Sequence, residues 1–347
     1  SGTAAVAAGN IGRPLVEVAS QALASQARGP RALGAEAAVP GVAVAEVSSF
    51  QLAWTRWFHP TVACWLNFAP DHLDWHADLG DYAAAKERIW RRQHQGDLAV
   101  ANAEDPVVAK ASAGAGGSVV TFGLRVGDYR EEGGFLIVPG GEAVVAVAEL
   151  PRRLPHDRAN ALAAAACALG AGGNITGCRA AVLAGVSLRH RIELVGTYLG
   201  VSYYDDSKAT TPSAVCAALS GFESVVLVAG GRNKGLDLAS IPAFLADEQH
   251  AGSGPGTARL RAVVALGEAA ADVASAFAPI APVMRVLSMD EAVAAAASVA
   301  GPGDAVLLSP GCASFDAYAS YAERGDDFAR AVAGHFAAAR PAGREQR

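Results

Sequence analysis

Short runs of Val, Leu, Ile and Ala, too brief to be helices, alternate along most of this chain with segments whose apolar residues recur at helical spacing. Such a chain folds into α/β layers with largely parallel strands, because each helix covers the sheet that its neighbouring strands build. In the first half, Gly41–Val47 and Thr61–Asn67 read as buried strands. Asp97–Ala101, Ser118–Phe122, Phe135–Val138 and Ala143–Val147 read as shorter ones, and the glycines between the last three suggest hairpins. Tyr82–Gln95 reads as an amphipathic helix with Asp81 as its N-cap. Ala-rich helices follow at about Asp157–Leu169 and Gly177–Ala184.

A second unit begins near Leu188. Strands around Ile192–Tyr198 and Val201–Asp205 lead into four more, at Ser224–Val228, Ala262–Leu266, Met284–Leu287 and Ala305–Leu308. Helices near Thr211–Leu219, Ala239–Ala246, Ala269–Phe277, Met289–Val299 and Asp326–Ala338 cover them, which is a doubly wound, Rossmann-like pattern. Glu248–Arg259 reads as a surface loop, and the chain after Arg340 as a frayed tail. The expected partition is 1–187, 188–340 and a tail at 341–347. At roughly 150 residues per domain, 347 residues agree with two domains.

Composition narrows the function classes. Hydrophobic residues make up 52% and charged residues 18%, which excludes a disordered chain. A formal net charge of −6 gives no global field for nucleic acid or an anionic membrane. Five dispersed Cys without a C-x-x-C pair make neither a disulfide framework nor a zinc site, so they read as small buried hydrophobes in a reducing cytoplasm. No run of about 18 apolar residues would span a membrane.

Polar motifs gather at the ends of the expected strands, where α/β folds bind ligands. Glu46 ends one strand and Asn67 the next, with Pro70-Asp71-His72-Leu73-Asp74 just beyond. Glu46 reads either as a loop-edge carboxylate or, with His72, as a Mg²⁺ ligand set completed by water and phosphate. The His72/His76 spacing also invites zinc, although no third ligand stands out. Gly9-Asn10-Ile11-Gly12 is either a structural turn or an anion-binding one. Gly230-Gly231-Arg232-Asn233-Lys234-Gly235 lacks the spacing of a dinucleotide fingerprint, and Lys234 suits a carboxylate. Tyr204-Asp205-Asp206-Ser207-Lys208-Ala209-Thr210 packs acids, a cation and hydroxyls into one strand-to-helix turn, fit for ribose and for phosphate or carboxylate oxygens. Ser309-Pro310-Gly311-Cys312-Ala313-Ser314 follows the last strand, and His156, Asn160, His190 and Arg191 flank the junction of the two units.

Together these motifs resemble the Mur ligases of peptidoglycan synthesis. The matching segments run in order over nearly the whole chain: GNIG at Gly9, EVSSFQL at Glu46, NFAPDHLD at Asn67, AAKERI at Ala84, HDRAN at His156, LRHR at Leu188, DDSKAT at Asp205, GGRNKGLD at Gly230 and LLSPGCASFD at Leu307. DDSKAT and GGRNKG are the pattern of the branch of the family that adds D-glutamate. The resemblance implies a cytoplasmic, monomeric, ATP-driven amide ligase. ATP phosphorylates the carboxylate of UDP-N-acetylmuramoyl-L-alanine, and the amine of D-glutamate displaces the phosphate from the resulting acyl phosphate. It implies Glu46 and His72 as Mg²⁺ ligands, joined by Lys86 if that lysine is carbamylated. It implies Asn10, Ser48 and Gln51 at the UDP-sugar, and Asn160, Arg191 and Asp206 at ATP. Lys208, Thr210, Lys234, Ser314, Phe315 and Tyr321 would line the D-glutamate pocket, with Lys86, His72, Lys208 and His190 acting in catalysis.

Three positions depart from the family pattern: Thr211 stands for a usual Asn, Asp157 for a common Asn, and Tyr321 for a Phe. The chain also has no G-K-[ST] phosphate loop and opens on Ser1, which reads as a Mur ligase lacking its N-terminal domain and phosphate loop, its central domain incomplete. Such a piece is expected to be inactive alone. The alternatives are another amino-acid ligase of the family, a non-catalytic module derived from one, and a nicotinamide-dependent oxidoreductase.

Overall fold

The computed structural model describes residues 4–28, 41–185, 188–250 and 258–338. They form two compact units, one of the described residues within 1–68, 72–152 and 157–185, the other of those within 69–71, 153–156 and 186–347. The expected tail lies outside the described residues. So does the middle of the Glu248–Arg259 loop, whose ends belong instead to a helix and a strand.

In the first unit, β1 (Ala5–Gly9) pairs in parallel with β2 (Val42–Glu46), with α1 (Leu15–Arg28) between them in sequence. After α2 (Ser49–Trp54), a second parallel sheet is built from β3 (Val62–Trp65), β4 (Leu98–Asn102) and β5 (Ser118–Phe122). Helices α3 (Leu79–Glu87) and α4 (Pro106–Ser112) are its connections. Then β6 (Arg130–Glu132), β7 (Phe135–Ile137) and β8 (Ala143–Ala146) form an antiparallel meander, followed by α5 (Pro155–Gly170) and α6 (Ile175–Ala184). The hairpin expectation therefore holds for β7 and β8 but not for β5, which pairs in parallel with β4.

Strand β3 divides its side chains between two cores, as period two requires. Ala63 and Trp65 join Trp90, Ala99, Ala101 and Val108, while Val62 and Cys64 face the core built around α5. Helix α5 presents Ala163, Ala166 and Cys167 to that core, and its small residues allow a close approach. A Cβ at Gly170 would stand 2.4 Å from Leu98 Cδ2. Here the Cys64 and Cys167 thiols are neighbours, and that proximity together with burial pushes the Cys64 thiol well above its usual range.

Helix α3 begins three residues before the expected start and ends at Glu87. Its N-cap is Asp78, which accepts from the Asp81 amide at 2.8 Å. The expected run to Gln95 fails because the next side chains turn inward to serve backbone of the sheet. Trp90 Nε1 donates to the Ala63 carbonyl at 3.1 Å, and Gln93 Nε2 donates to the carbonyls of Pro60 and Leu98 at 3.1 and 2.8 Å.

The second unit contains β9 (Glu193–Tyr198), β10 (Val201–Asp205), α7 (Pro212–Leu219), β11 (Ser224–Gly230) and α8 (Ser240–His250), then β12 (Arg259–Leu266), α9 (Ala270–Phe277), β13 (Val283–Arg285), α10 (Met289–Val299), β14 (Ala305–Gly311) and α11 (Tyr321–Ala338). One six-stranded sheet runs in the order β13-β12-β11-β14-β10-β9, parallel except for β9. Both faces are covered. Val225, Leu227 and Leu307 point into the core of α7, α8 and α9, while Val226, Val228, Val306 and Leu308 point into that of α10 and α11. Helix α11 starts five residues before the expected Asp326. Its start is polar and shows no apolar period: Ser320 Oγ accepts from the Glu323 amide at 3.1 Å, and Glu323 Oε2 accepts from the Ala319 amide at 2.8 Å. Among the described residues, no helix is long and apolar enough to cross a membrane.

Candidate active site

In the second unit, the last strand, β14, is inserted between β10 and β11. The chain segments leaving β10, β14 and β11 therefore emerge side by side at the carboxyl edge of a parallel sheet, the ligand-binding edge of open α/β folds. Hydrogen bonds stitch these exits together. Asp206 N donates to Leu308 O at 2.8 Å, and Gly311 N donates to Ala209 O at 2.9 Å. Arg232 and Ala313 exchange backbone bonds of 2.8 and 3.0 Å. The two glycines after β11 are needed here: Gly230 and Gly231 both have φ +124°, and a Cβ would stand 2.0 Å from Leu266 O and 2.3 Å from Ala313 O.

Arg324 of α11, only 2% exposed, locks the arrangement from beneath. Its Nε donates to Ser207 Oγ at 2.9 Å, and its Nη2 donates to Ser207 O at 2.9 Å and Cys312 O at 3.1 Å. Ser207 Oγ in turn donates to the Tyr321 carbonyl at 2.7 Å. Burial lowers the Arg324 guanidinium to about 10, which leaves it charged at neutral pH. Arg324 was not singled out from sequence, and Ser207 only as a member of the polar turn Tyr204–Thr210. Arg324 lies in the polar start of α11, before the apolar period begins, so no sequence pattern signals it.

Two adjacent carboxylates sit on the same edge. Asp205 Oδ2 lies 2.7 Å from His190 Nδ1, and Asp205 Oδ1 accepts the Ser207 amide at 2.8 Å. Burial raises the Asp205 carboxyl, against the opposing effect of the His190 and Ser207 bonds. Asp206 accepts a 2.9 Å bond from Ser309 Oγ, and burial pushes its carboxyl up to about 7 despite that bond and the nearby Arg191. The His190 carbonyl accepts from the Lys208 amide at 3.2 Å.

Of the residues expected around D-glutamate, Lys208 is half-buried with its Nζ 5.5 Å from the Tyr321 ring centroid. Thr210 is half-buried, Ser314 is buried, and Phe315 is 63% exposed. Lys234 rides on a loop whose base Asn233 closes through two 2.9 Å bonds to the backbone of Leu236. Thr211, one of the departures, is the N-cap of α7, its hydroxyl accepting from Ala214 N at 3.4 Å with Pro212 following. Asn and Thr both serve as caps, so the exchange keeps the local structure.

The first unit holds the other expected residues. Gly9 faces Glu46 across β1 and β2, and Asn10 Nδ2 donates to Glu46 Oε1 at 3.2 Å. A Cβ at Gly9 would stand 2.2 Å from Glu46 O, and Gly9 has φ +107°, so glycine is required. Ser48 and Gln51, expected at the UDP-sugar, form a capping box: Ser48 Oγ accepts from Gln51 N at 3.2 Å and Gln51 Oε1 accepts from Ser48 N at 2.9 Å. His72 has φ +57° and sets its ring edge-on to Phe50 at 4.8 Å and to Tyr82 at 5.9 Å. His76 is buried with both ring nitrogens engaged, by Asp81 Oδ2 at 3.1 Å and Ser49 Oγ at 3.0 Å, which removes it from any His72/His76 metal pair. Lys86 occupies the last turn of α3, its Nζ 5.4 Å from the Tyr82 centroid. Asn160 is exposed on α5, and Asp157, another departure, makes a two-pronged 2.6 Å pair with Arg152 that Asn could not make.

Residues 17–168 match the Mur ligase middle domain, and residues 190–312 match the Mur ligase glutamate ligase domain. The UDP-N-acetylmuramoylalanine--D-glutamate ligase of Frankia casuarinae is 42% identical over 342 residues, covering 95% of this chain and 66% of that protein. The chain belongs to the Mur ligase family. A second ligase of the same name, from Desulfosudis oleivorans, is 40% identical over 96% of this chain and 68% of its own length. This Mur ligase chain thus spans about two thirds of the length of those relatives. Its fold is also that of the UDP-N-acetylmuramate-alanine ligase MurC from Thermotoga maritima, with a TM-score of 0.59 at 16% identity over 98% of this chain and 76% of the other.

Proposed function

We propose that this Mur ligase joins the amine of D-glutamate to the carboxylate of UDP-N-acetylmuramoyl-L-alanine in the cytoplasm, as a monomer, with ATP as the energy source. The observation that carries this reading is the insertion of β14 between β10 and β11. It groups the segments bearing Lys208, Thr210, Lys234 and Ser314 on one sheet edge, a set of cations and hydroxyls suited to a dicarboxylate amine. The names of the relatives from Frankia and Desulfosudis support the same substrate.

The γ-phosphoryl group of ATP passes to the muramoyl-alanine carboxylate, giving an acyl phosphate and ADP. The D-glutamate amine then attacks that carbon, and phosphate leaves as the amide forms. Lys208 and Lys234 hold the glutamate carboxylates, and Thr210, Ser314, the Phe315 backbone and Tyr321 complete the pocket. His190 acts as a positioning residue, because its carbonyl holds the Lys208 amide and its ring is fixed by Asp205. Asn160 is assigned to the ATP base, Arg191 to phosphate and Asp206 to ribose. Asn10, Ser48 and Gln51 are assigned to the UDP-sugar.

The donor chemistry of the first unit fits Mg²⁺, a hard ion that takes few protein oxygens and keeps water or phosphate in its other positions. Glu46, oriented by Asn10, supplies such an oxygen, with His72 and a carbamylated Lys86 as the other proposed ligands. Bound Mg²⁺ would neutralise charge on the transferring phosphoryl group. Carbamylation needs the neutral amine of Lys86, and it turns a cation that repels metal into a carboxylate on a long stem.

The test is phosphate release by the whole gene product. Release that requires ATP, UDP-N-acetylmuramoyl-L-alanine and D-glutamate together is expected, as is loss of that release in Lys208→Ala. Equal turnover with D-glutamine or L-alanine would overturn the assignment. A ¹³C carbamate signal from labelled bicarbonate, absent in Lys86→Ala, is the expected mark of the modified lysine.

A further inference from the structure

The proposed Mg²⁺ donors stand at the carboxyl end of the first unit's parallel strands. At the opposite, amino end of β3 and β4, three side chains that the ligase reading does not use converge. His59 precedes β3, while His94 and Asp97 precede β4, and the two lead-ins are joined by the Leu98 N to Thr61 O bond of 2.8 Å. His59 Nε2 lies 2.6 Å and His94 Nδ1 3.2 Å from the same atom, Asp97 Oδ2. One ligand atom from each residue falls within 4.8 Å of the other two, and the imidazole centroids are 4.4 Å apart at 52°. We propose that His59, His94 and Asp97 bind one divalent transition-metal ion of the Zn²⁺ type, which staples the amino ends of β3 and β4.

The chemistry selects the ion. Two imidazoles and one carboxylate form the donor set of four- or five-coordinate transition-metal sites with an open position for water, whereas Mg²⁺ prefers oxygen. At metal–ligand bonds of about 2.1 Å, tetrahedral ligand atoms stand about 3.4 Å apart, close to the 3.2 Å already present between His94 Nδ1 and Asp97 Oδ2. The ion would take the place of the proton now shared by His59 and Asp97, so binding releases protons. It also requires His94 in the tautomer protonated at Nε2, which gives up the 3.2 Å contact of Nδ1 with the Gln95 carbonyl.

The burial pattern fits a site rather than a chance contact. Asp97 is 6% exposed and is held by the His94 backbone amide at 2.9 Å, so the carboxylate is oriented before any metal arrives. The imidazoles are accessible, at 38% exposure for His59 and 69% for His94. A single His–Asp bond would be enough to satisfy Asp97. The second ring stands 3.2 Å from the same carboxylate oxygen, and two protonated imidazoles this close would repel each other, whereas a shared metal makes their proximity favourable. Strands β3 and β4 are four and five residues long, so the ion would stand about 13–17 Å along the sheet from their carboxyl ends.

The experiment uses tag-free protein stripped with a chelator and titrated with Co²⁺, whose visible d–d bands report four- or five-coordination. The expected result is one Co²⁺ per chain, displaced by Zn²⁺ and not by excess Mg²⁺. Affinity should fall at least tenfold in both His59→Ala and His94→Ala and stay unchanged in His335→Ala. Added Zn²⁺ should raise the melting temperature of the wild type but not of the two histidine variants, whose exposed side chains can be removed without unfolding the chain. Absence of the bands, displacement by Mg²⁺, or bands that persist in the His59/His94 double variant would overturn the proposal.

Discussion

His190 Nδ1 and Asp205 Oδ2 lie 2.7 Å apart with both side chains buried, and the pair fits only because residue 325 of α11 has no side chain. A Cβ on Gly325 would stand 2.2 Å from His190 Nδ1 and 2.4 Å from Asp205 Oδ2. Glycine inside a helix ordinarily costs about 0.5–1 kcal/mol relative to alanine, so Gly325→Ala would stabilise an unconstrained helix. Here we expect a net loss of about 1–2 kcal/mol, because overpacking outweighs the gain in helix propensity. The urea midpoint measures it, and an unchanged or raised midpoint would contradict the contact.

The pH dependence of stability should carry the signature of Asp206. Burial raises its carboxyl from 3.8 to about 7, so between those values the folded protein holds a proton that the unfolded chain has released. Its contribution is therefore fully present below about pH 4 and is lost as pH rises towards 7. Asp206→Asn, which can still accept from Ser309, should flatten this decline. Identical pH slopes for wild type and variant in urea melts would refute it.

Arg324→Lys should destabilise the second unit by about 2–4 kcal/mol, because one ammonium cannot reproduce a planar fork that reaches Ser207 Oγ, Ser207 O and Cys312 O. Under the proposed function, KM for D-glutamate should rise more than KM for ATP. A variant with wild-type stability would show that the buried guanidinium is dispensable.

Gln51 separates a structural from a substrate role. The capping box makes Gln51→Ala cost about 1 kcal/mol, whereas Gln51→Glu, which can still accept from Ser48 N, should keep its stability. If the side chain also meets the UDP-sugar, Gln51→Glu should raise KM for that substrate while melting like the wild type. Equal destabilisation by both variants would argue against the cap.

Much of this was legible in sequence wherever the physics is local. Strand and helix periods, the polar turn after Asp205 and the glycines after β11 all depend on residues within a few positions of one another, so order along the chain reveals them. Boundaries failed where distant backbone made the decision. Asp78 rather than Asp81 caps α3, and the helix stops at Glu87 because Trp90 and Gln93 turn to serve carbonyls of β3, β4 and the segment before them. Strand order is beyond local pattern altogether. Nothing in the apolar run Ala305–Leu308 says that it will pair with both β10 and β11, yet that placement groups the Lys208, Lys234 and Ser314 segments. The same holds for Arg324, which lies before the helix expected from Asp326 yet donates to Ser207 Oγ, 117 residues away along the chain. It holds for His59 and Asp97, 38 residues apart in sequence and 2.6 Å apart in space. Periodicity sets which face of an element is apolar, whereas burial of those faces against one another sets which polar groups meet, and only the folded chain contains that second choice.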